Sequence, residues 1–359
     1  MKSKILFLVL FSLLFVCVRN FPQQSQLTGT EKASLNKAFD EDTLFANFCE
    51  TRSDAIKLYE EYKSNVKYSD SIWTADQQRL QKIKDFGYTR KFEFIPLVEN
   101  ICENSKYKKA IGVSYLIRTD IATILFDTGW DEDSVMCVFR YNLEKLGIDI
   151  GKIDAIVISH NHDDHQNAWK WISDKTFMNS ENQSKLPGIK IYVPDDNLNL
   201  KIKTLFSGDP VKISEGVYTT GVIRAPLFFM TTQEQALMIN VKDKGIVIVT
   251  GCGHPTVDKL LQRCETLTDI PVYGILGGLH LPVYGDSEKY LGYVVTGKLP
   301  WVPLTLSYVD KKIALIKKQN IKLIGISTHD SSNKTIQAFK KAFASDYKDL
   351  KIGEWIVVD

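Results

Sequence analysis

The pattern of apolar and polar positions divides the chain into a polar, helix-leaning first quarter and a strand-rich remainder. Ala55, Leu58, Tyr59 and Tyr62 recur at helical spacing, and Gln77 to Phe86 repeats the pattern less strongly. From Phe92 the period changes. Val113–Ile117 and Ala122–Phe126 flank a polar turn around Arg118–Asp120 and predict a hairpin. Ser134–Leu146 predicts an amphipathic helix closed by Gly147. Ile153–Ile158 is a β-branched apolar run, the pattern of a buried strand, and Gln166–Ile172 reads as a short helix with Ala168, Trp169 and Ile172 apolar. Further strands are expected at Ile189–Val193, Gly245–Val249 and Leu323–Ile326, a helix at Asn333–Phe343, and a closing strand over Gly353–Val358. Strands alternating with helices make this an α/β chain.

Composition narrows the class. The 359 residues are 44% hydrophobic and 25% charged, enough for one large domain or two modest ones. A formal charge of +2 argues against a nucleic-acid-binding surface. Met1–Lys4 is basic, and the apolar run Ile5–Val18 is shorter than the roughly twenty residues a spanning helix needs. It reads as a signal-peptide core, removed between Cys17 and Ser25 or kept as an anchor. The expected location is therefore secreted, periplasmic or anchored on the outer side, with membrane contact only through this segment. Residues 1–20 are thus a leader, 21–88 a helical extension without chemistry of its own, and 89–359 the functional domain. The widely spaced cysteines form no disulfide framework, although Cys49 and Cys102 could pair.

The chemistry concentrates in Ser159-His160-Asn161-His162-Asp163-Asp164-His165, a loop leaving a strand. Neutral imidazoles with carboxylates are ligands of zinc and related ions. His160 and His162, two apart, can clamp one ion, whereas the adjacent Asp164 and His165 suit a second beside it. Two more apolar strands end in candidates: Thr250-Gly251-Cys252-Gly253-His254 and Ser327-Thr328-His329-Asp330. Gly277-Gly278-Leu279-His280 adds the last of the six histidines. Cys252 is either a ligand or a small buried apolar residue. His280 is read as a catalytic or substrate-contacting residue, with a structural role or ligation as alternatives. Residues 282–306 read as a loop over the surface or along the pocket.

The motif His160-x-His162-x-Asp164-His165, with the strand end Leu125-Phe126-Asp127-Thr128-Gly129, resembles the metallo-β-lactamase fold superfamily. Gly251-Cys252-Gly253-His254, Gln233-Glu234-Gln235-Ala236-Leu237 and Gly277–Leu281 resemble one subgroup, related to the dihydropterin-ribofuranosylaminobenzene-phosphate synthase of methanopterin biosynthesis. The likeness spans roughly residues 90–359. It implies a four-layer αββα sandwich with metals at one edge, Asp127 supporting the metal loop, and His329 as the final ligand. Cys252 stands where most of the superfamily has a bridging aspartate, and His254 takes over a ligand position that Gln233–Leu237 lacks. The subgroup commonly has Cys-Thr-Gly after its last His; this chain has Asp330-Ser331-Ser332.

These readings give His160, His162 and His254 to one divalent ion and Asp164, His165 and His329 to another, with Cys252 bridging or alongside. Zinc is the default metal, with iron and manganese as alternatives. The expected activity is that of an exported hydrolase of a small-molecule ester, phosphoester or lactone, with Asp164 handling the nucleophile's proton. A pterin-condensing transferase and a non-catalytic metal-binding protein are the alternatives.

Overall fold

The computed structural model describes residues 27–41, 46, 49–130, 137–166, 189–195, 204–227, 231–283 and 304–359. The leader, the Gln166–Ile172 helix beyond Gln166 and most of the 282–306 loop fall outside them. In chain order the elements are α1 (Gly29–Glu41), α2 (Arg52–Arg79), β1 (Phe92–Val98), β2 (Ser114–Thr119), β3 (Thr123–Phe126), α3 (Val138–Lys145), β4 (Ala155–Val157), β5 (Lys190–Val193) and β6 (Leu205–Phe206). There follow β7 (Lys212–Ser214), β8 (Val217–Thr219), β9 (Ile223–Pro226), β10 (Thr231–Glu234), β11 (Leu237–Val241) and β12 (Gly245–Thr250). The chain closes with α4 (Val257–Leu267), β13 (Val272–Gly277), α5 (Leu306–Lys318), β14 (Leu323–Ile326), α6 (Asn333–Phe343) and β15 (Ile356–Val358).

Two mixed sheets result. One runs β15-β1-β2-β3-β4-β5-β6 and the other β14-β13-β12-β11-β8-β7, with β9 and β10 as a separate pair. The expected hairpin sets Leu116 of β2 opposite Leu125 of β3, antiparallel. From β3 to β6 the pairing is parallel, as it is from β12 through β13 to β14. Every residue of β12 is buried, which is why this strand reads as an unbroken apolar run. Phe94, Tyr115, Phe126 and Val157 of the first sheet share a core with Leu237, Val249 and Leu276 of the second. The outer face of the first sheet packs on α3 through Phe139 and Leu143. The outer face of the second packs on α4, α5 and α6 through Leu260, Val309 and Phe339. This is the four-layer αββα sandwich that the resemblance implies.

Several expected elements are shorter than their patterns. The strand read over Ile153–Ile158 is Ala155–Val157, because Ile150–Lys152 forms a 3₁₀ turn that runs up to it. The helix before Gly147 is described from Val138, and Gly147 takes φ +71 just past its end. No helix spans Gln77–Phe86. α2 stops at Arg79 because Leu80 turns extended (φ −68, ψ 140). Ile83 then donates its N–H to Leu267 O at 2.8 Å, and Leu80, Ile83 and Phe86 reach the core along an irregular segment. Cys49 and Cys102 do not pair: both are free thiols, Cys49 buried against α1 and α2 and Cys102 facing Asn104 O at 3.3 Å.

α2 is tied to the sandwich by a buried cation. Arg263 of α4 is 1% exposed; its Nη1 donates to Thr220 O at 3.0 Å, and its Nη2 lies 3.7 Å from Asp76 Oδ2. The Trp73 ring stacks on the guanidinium at 5.1 Å. Removing one partner of such a pair strands a buried charge. Asp76→Ala should therefore lower stability by about 2 kcal/mol, below the roughly 3–5 of a fully buried pair because Asp76 is partly exposed. Urea unfolding checks this; an unchanged midpoint would show that Arg263 needs no counter-charge.

Candidate metal centre

The C-terminal ends of β3, β4, β12, β13 and β14 meet at one edge of the sandwich, and each carries one segment of the site. Asp127, just past β3, is fully buried in left-handed backbone (φ 58). Its Oδ1 accepts the Ser159 N–H at 2.6 Å, and its Oδ2 accepts the Ser159 hydroxyl at 2.6 Å and His165 Nδ1 at 2.6 Å. With its proton given to Asp127, the Ser159 oxygen is left to accept from His160 Nδ1 at 2.8 Å. Both rings then carry a proton on Nδ1, so both Nε2 atoms face the cluster. Gly251 makes room for this network, since a Cβ there would stand 2.1 Å from Ser159 Oγ.

Two trios of donors form around these rings. His160 Nε2 and His254 Nε2 lie 3.0 and 3.3 Å from His162 Nδ1. Beside them, Asp164 lies 3.9 Å from His165 Nε2 through Oδ1 and 2.9 Å from His329 Nε2 through Oδ2. Within each trio, the donor atoms lie within 4.8 Å of one another. Gly112 donates its N–H to His329 Nδ1 at 3.2 Å, so His329 donates from Nε2 to Asp164 in this arrangement. Cys252 Sγ sits between the trios, 3.1 Å from His165 Nε2. His280 stands at the far side of His254, ring centroids 4.3 Å apart. The structure thus brings together His160, His162, Asp164, His165, Cys252, His254, His280 and His329.

The donor set fits cations on its own geometry. One proton can satisfy only one of the close nitrogen contacts around His162, whereas a cation satisfies all of them. His162 Nε2 and His254 Nδ1 are buried with no hydrogen-bond partner among the described residues. Burial holds His160 and His254 well below the ordinary imidazole value and His162 at about 4, so these rings are neutral, as ligands must be. Burial also opposes charge on His165, yet Asp127 and Asp164 outweigh it and push that ring up to about 9. Burial would raise Asp164, but His165 and His329 hold its carboxyl well below the usual range.

Three supporting residues were missed from sequence. Glu234, at the end of β10, accepts the N–H groups of Gly253 and His254 at 2.7 and 2.9 Å, fixing the second metal loop. Gln235 donates to Ile158 O at 2.8 Å and holds the first. Glu99, buried after β1, accepts from Ser327 Oγ at 2.7 Å and Thr328 Oγ1 at 3.1 Å, just before His329. For Glu99 the available signal was a carboxylate closing the apolar run Ile95–Val98; Glu234 follows the polar Thr231-Thr232-Gln233 and carried no such signal.

The neutral rings give the centre a pH dependence. Unfolded, they take up protons near the ordinary value of 6.5; folded, His162 does so only at about 4. The unfolded chain therefore binds more protons in that window, and stability falls as pH drops through it. Glu234, raised to about 8 by burial, and His165, raised to about 9 by its carboxylates, contribute with the opposite sign, two groups against three. Chelator-treated protein should show a lower urea midpoint at about pH 4.5 than at about pH 7. The fall should shrink in His162→Asn; equal midpoints at both pH values in the native chain would contradict it.

Comparison with known proteins agrees with this geometry. The family described as the metallo-beta-lactamase superfamily matches residues 108–254. The 7,8-dihydropterin-6-methyl-4-(beta-D-ribofuranosyl)-aminobenzene-5'-phosphate synthase of Methanocaldococcus jannaschii is 24% identical over 294 residues, covering 70% of this chain and 92% of that protein. An uncharacterized protein of the same organism is 28% identical over 225 residues, covering 55% of this chain and 84% of its own length. Among solved structures, a metal-dependent hydrolase of the beta-lactamase superfamily superposes with a TM-score of 0.52 at 18% identity, covering 75% of this chain and 99% of that one. The chain has the metallo-β-lactamase fold, and its sequence resembles the pterin synthase of Methanocaldococcus jannaschii.

Proposed function

We propose that this protein is an exported hydrolase of small esters, phosphoesters or lactones that works through two divalent cations, zinc by default. The observation that carries the reading is the pair of adjoining donor trios, each within 4.8 Å, at one sheet edge. His160, His162 and His254 would hold one cation, and Asp164, His165 and His329 the other, with Cys252 between. Bound there, the cations supply Lewis acidity and a water of lowered pKa.

The chain's own residues do the rest. Asp127 and Ser159 hold the His160 and His165 rings through Nδ1, so each presents Nε2 to the cluster. Asp164, kept ionised by His165 and His329, presents a carboxylate that can orient the proton of an attacking water. Glu234 and Glu99 keep the loops of His254 and His329 in register. The segment Met1–Val18 supports export.

A second reading has its own observation. The relative whose length is 92% covered is named as a synthase, so a transferase condensing a pterin with a phosphorylated aminobenzene riboside stands behind the hydrolase. The Asp330-Ser331-Ser332 departure from the subgroup pattern, and export, rank it second.

Metal analysis with turnover of phosphodiester, ester and lactone substrates tests the proposal. Purified protein should carry about two transition-metal ions and hydrolyse at least one class. His162→Asn should lower kcat/KM by about 100-fold or more while leaving thermal unfolding within a few degrees. Metal without hydrolysis, together with pterin condensation, would replace this reading by the second.

A further inference from the structure

The loops after β12 and β13 meet backbone to backbone. A Cβ on Gly253 (φ +75) would stand 2.3 Å from Gly278 O, and one on Gly278 would stand 2.1 Å from Asp330 Oδ2 and 2.3 Å from Gly251 O. Glycine alone allows that approach, and it sets Cys252, His254 and His280 side by side with their donor atoms within 4.8 Å of one another. His254 can face both ways. Its Nε2 turns to His162, while its Nδ1 is one of the buried nitrogens without a hydrogen-bond partner among the described residues.

His280 is held there against its backbone preference. It adopts φ 51, a left-handed conformation that is unfavourable for a residue with a Cβ and that persists where the surroundings enforce it. The enforcement comes from the segment where this chain departs from the subgroup pattern. Asp330 Oδ2 accepts the His280 N–H at 3.1 Å, Ser331 Oγ the Leu281 N–H at 3.3 Å, and Ser332 Oγ the Val283 N–H at 3.1 Å. Thr335 Oγ1 completes the clasp by donating to Leu281 O at 2.6 Å. The same Asp330 Oδ2 lies 4.0 Å from His280 Nδ1, so its hold on His280 is through the backbone N–H. A recess lined by Thr256, Leu279, Tyr308 and Lys312 reaches His254 and His280.

We propose that Cys252, His254 and His280 form a third cation position beside the two assigned above, with His254 bridging it to the first position as an imidazolate whose remaining ring proton leaves to solvent, and with Asp330 holding the His280 backbone in place. A thiol with two imidazoles suits zinc or another borderline-soft divalent ion. The proposal rests on the reading that the neighbouring trios hold cations, and its test separates the two.

Cobalt(II) titrated into the chelator-treated full chain should fill three positions, the last with thiolate-to-cobalt charge-transfer absorption in the near ultraviolet. His280→Gln should fill two and lose the absorption that the third equivalent adds. Retention of the first two equivalents shows that the sheet edge remains assembled in this variant. Asp330→Asn should weaken the third equivalent by about tenfold or more. If the native chain saturates at two and His280→Gln titrates identically, the third position is overturned and the paired site stands. If the native chain binds no cobalt, both fall.

Discussion

The buried carboxylate of Asp127 is the constraint on which the site depends. It accepts three hydrogen bonds in the interior, from one backbone amide, one hydroxyl and one imidazole. Removing a carboxylate from water is costly unless such donors replace the lost hydration. Here the replacements come from Ser159 and His165, the two ends of the histidine-rich loop. The need to satisfy Asp127 therefore fixes Ser159 and His165 directly, and His160 through Ser159. The left-handed backbone at Asp127 is local strain held in place by that network.

Around this hub, the sandwich supplies convergence rather than chemistry. Parallel strands end on the same edge, so the turns after β3, β4, β12, β13 and β14 collect although their residues are far apart in sequence. Close backbone contacts at Gly112, Gly251, Gly253 and Gly278 then bring the turns nearer than side chains would permit; a Cβ at Gly112 would stand 1.8 Å from Asp164 O. Buried acceptors finish the alignment. Glu234 and Gln235 brace the Cys252–His254 and Ile158–Ser159 segments from a single stretch, linking two metal loops that share no strand pairing.

Much of this was legible in the sequence, for identifiable reasons. The His160–His165 spacing and the apolar runs before Asp127, Ser159, Cys252 and Ser327 depend on short-range pattern alone, and the structure places all of them at one edge. Helix ends were less legible. Gln77–Phe86 carries helical spacing, yet the bond from Ile83 to Leu267 O makes it an irregular segment, a tertiary effect with no local signal. The roles of Glu99, Glu234 and Asp330 were also hidden, because Glu99 acts on hydroxyls, and Glu234 and Asp330 on backbone amides, of residues distant in sequence. The departure at Asp330-Ser331-Ser332 was visible, but its function as a clasp on His280 needed coordinates.

The central claim is that separate strand ends assemble a cation centre whose ligands are set by Asp127. Anomalous diffraction at the zinc, iron and manganese edges, from crystals of the protein as purified, tests it most directly. The account predicts strong peaks within the trios of His160, His162 and His254 and of Asp164, His165 and His329. Crystals of stoichiometrically loaded protein whose peaks lie away from these residues, or purified protein with no peak at this edge, would contradict it.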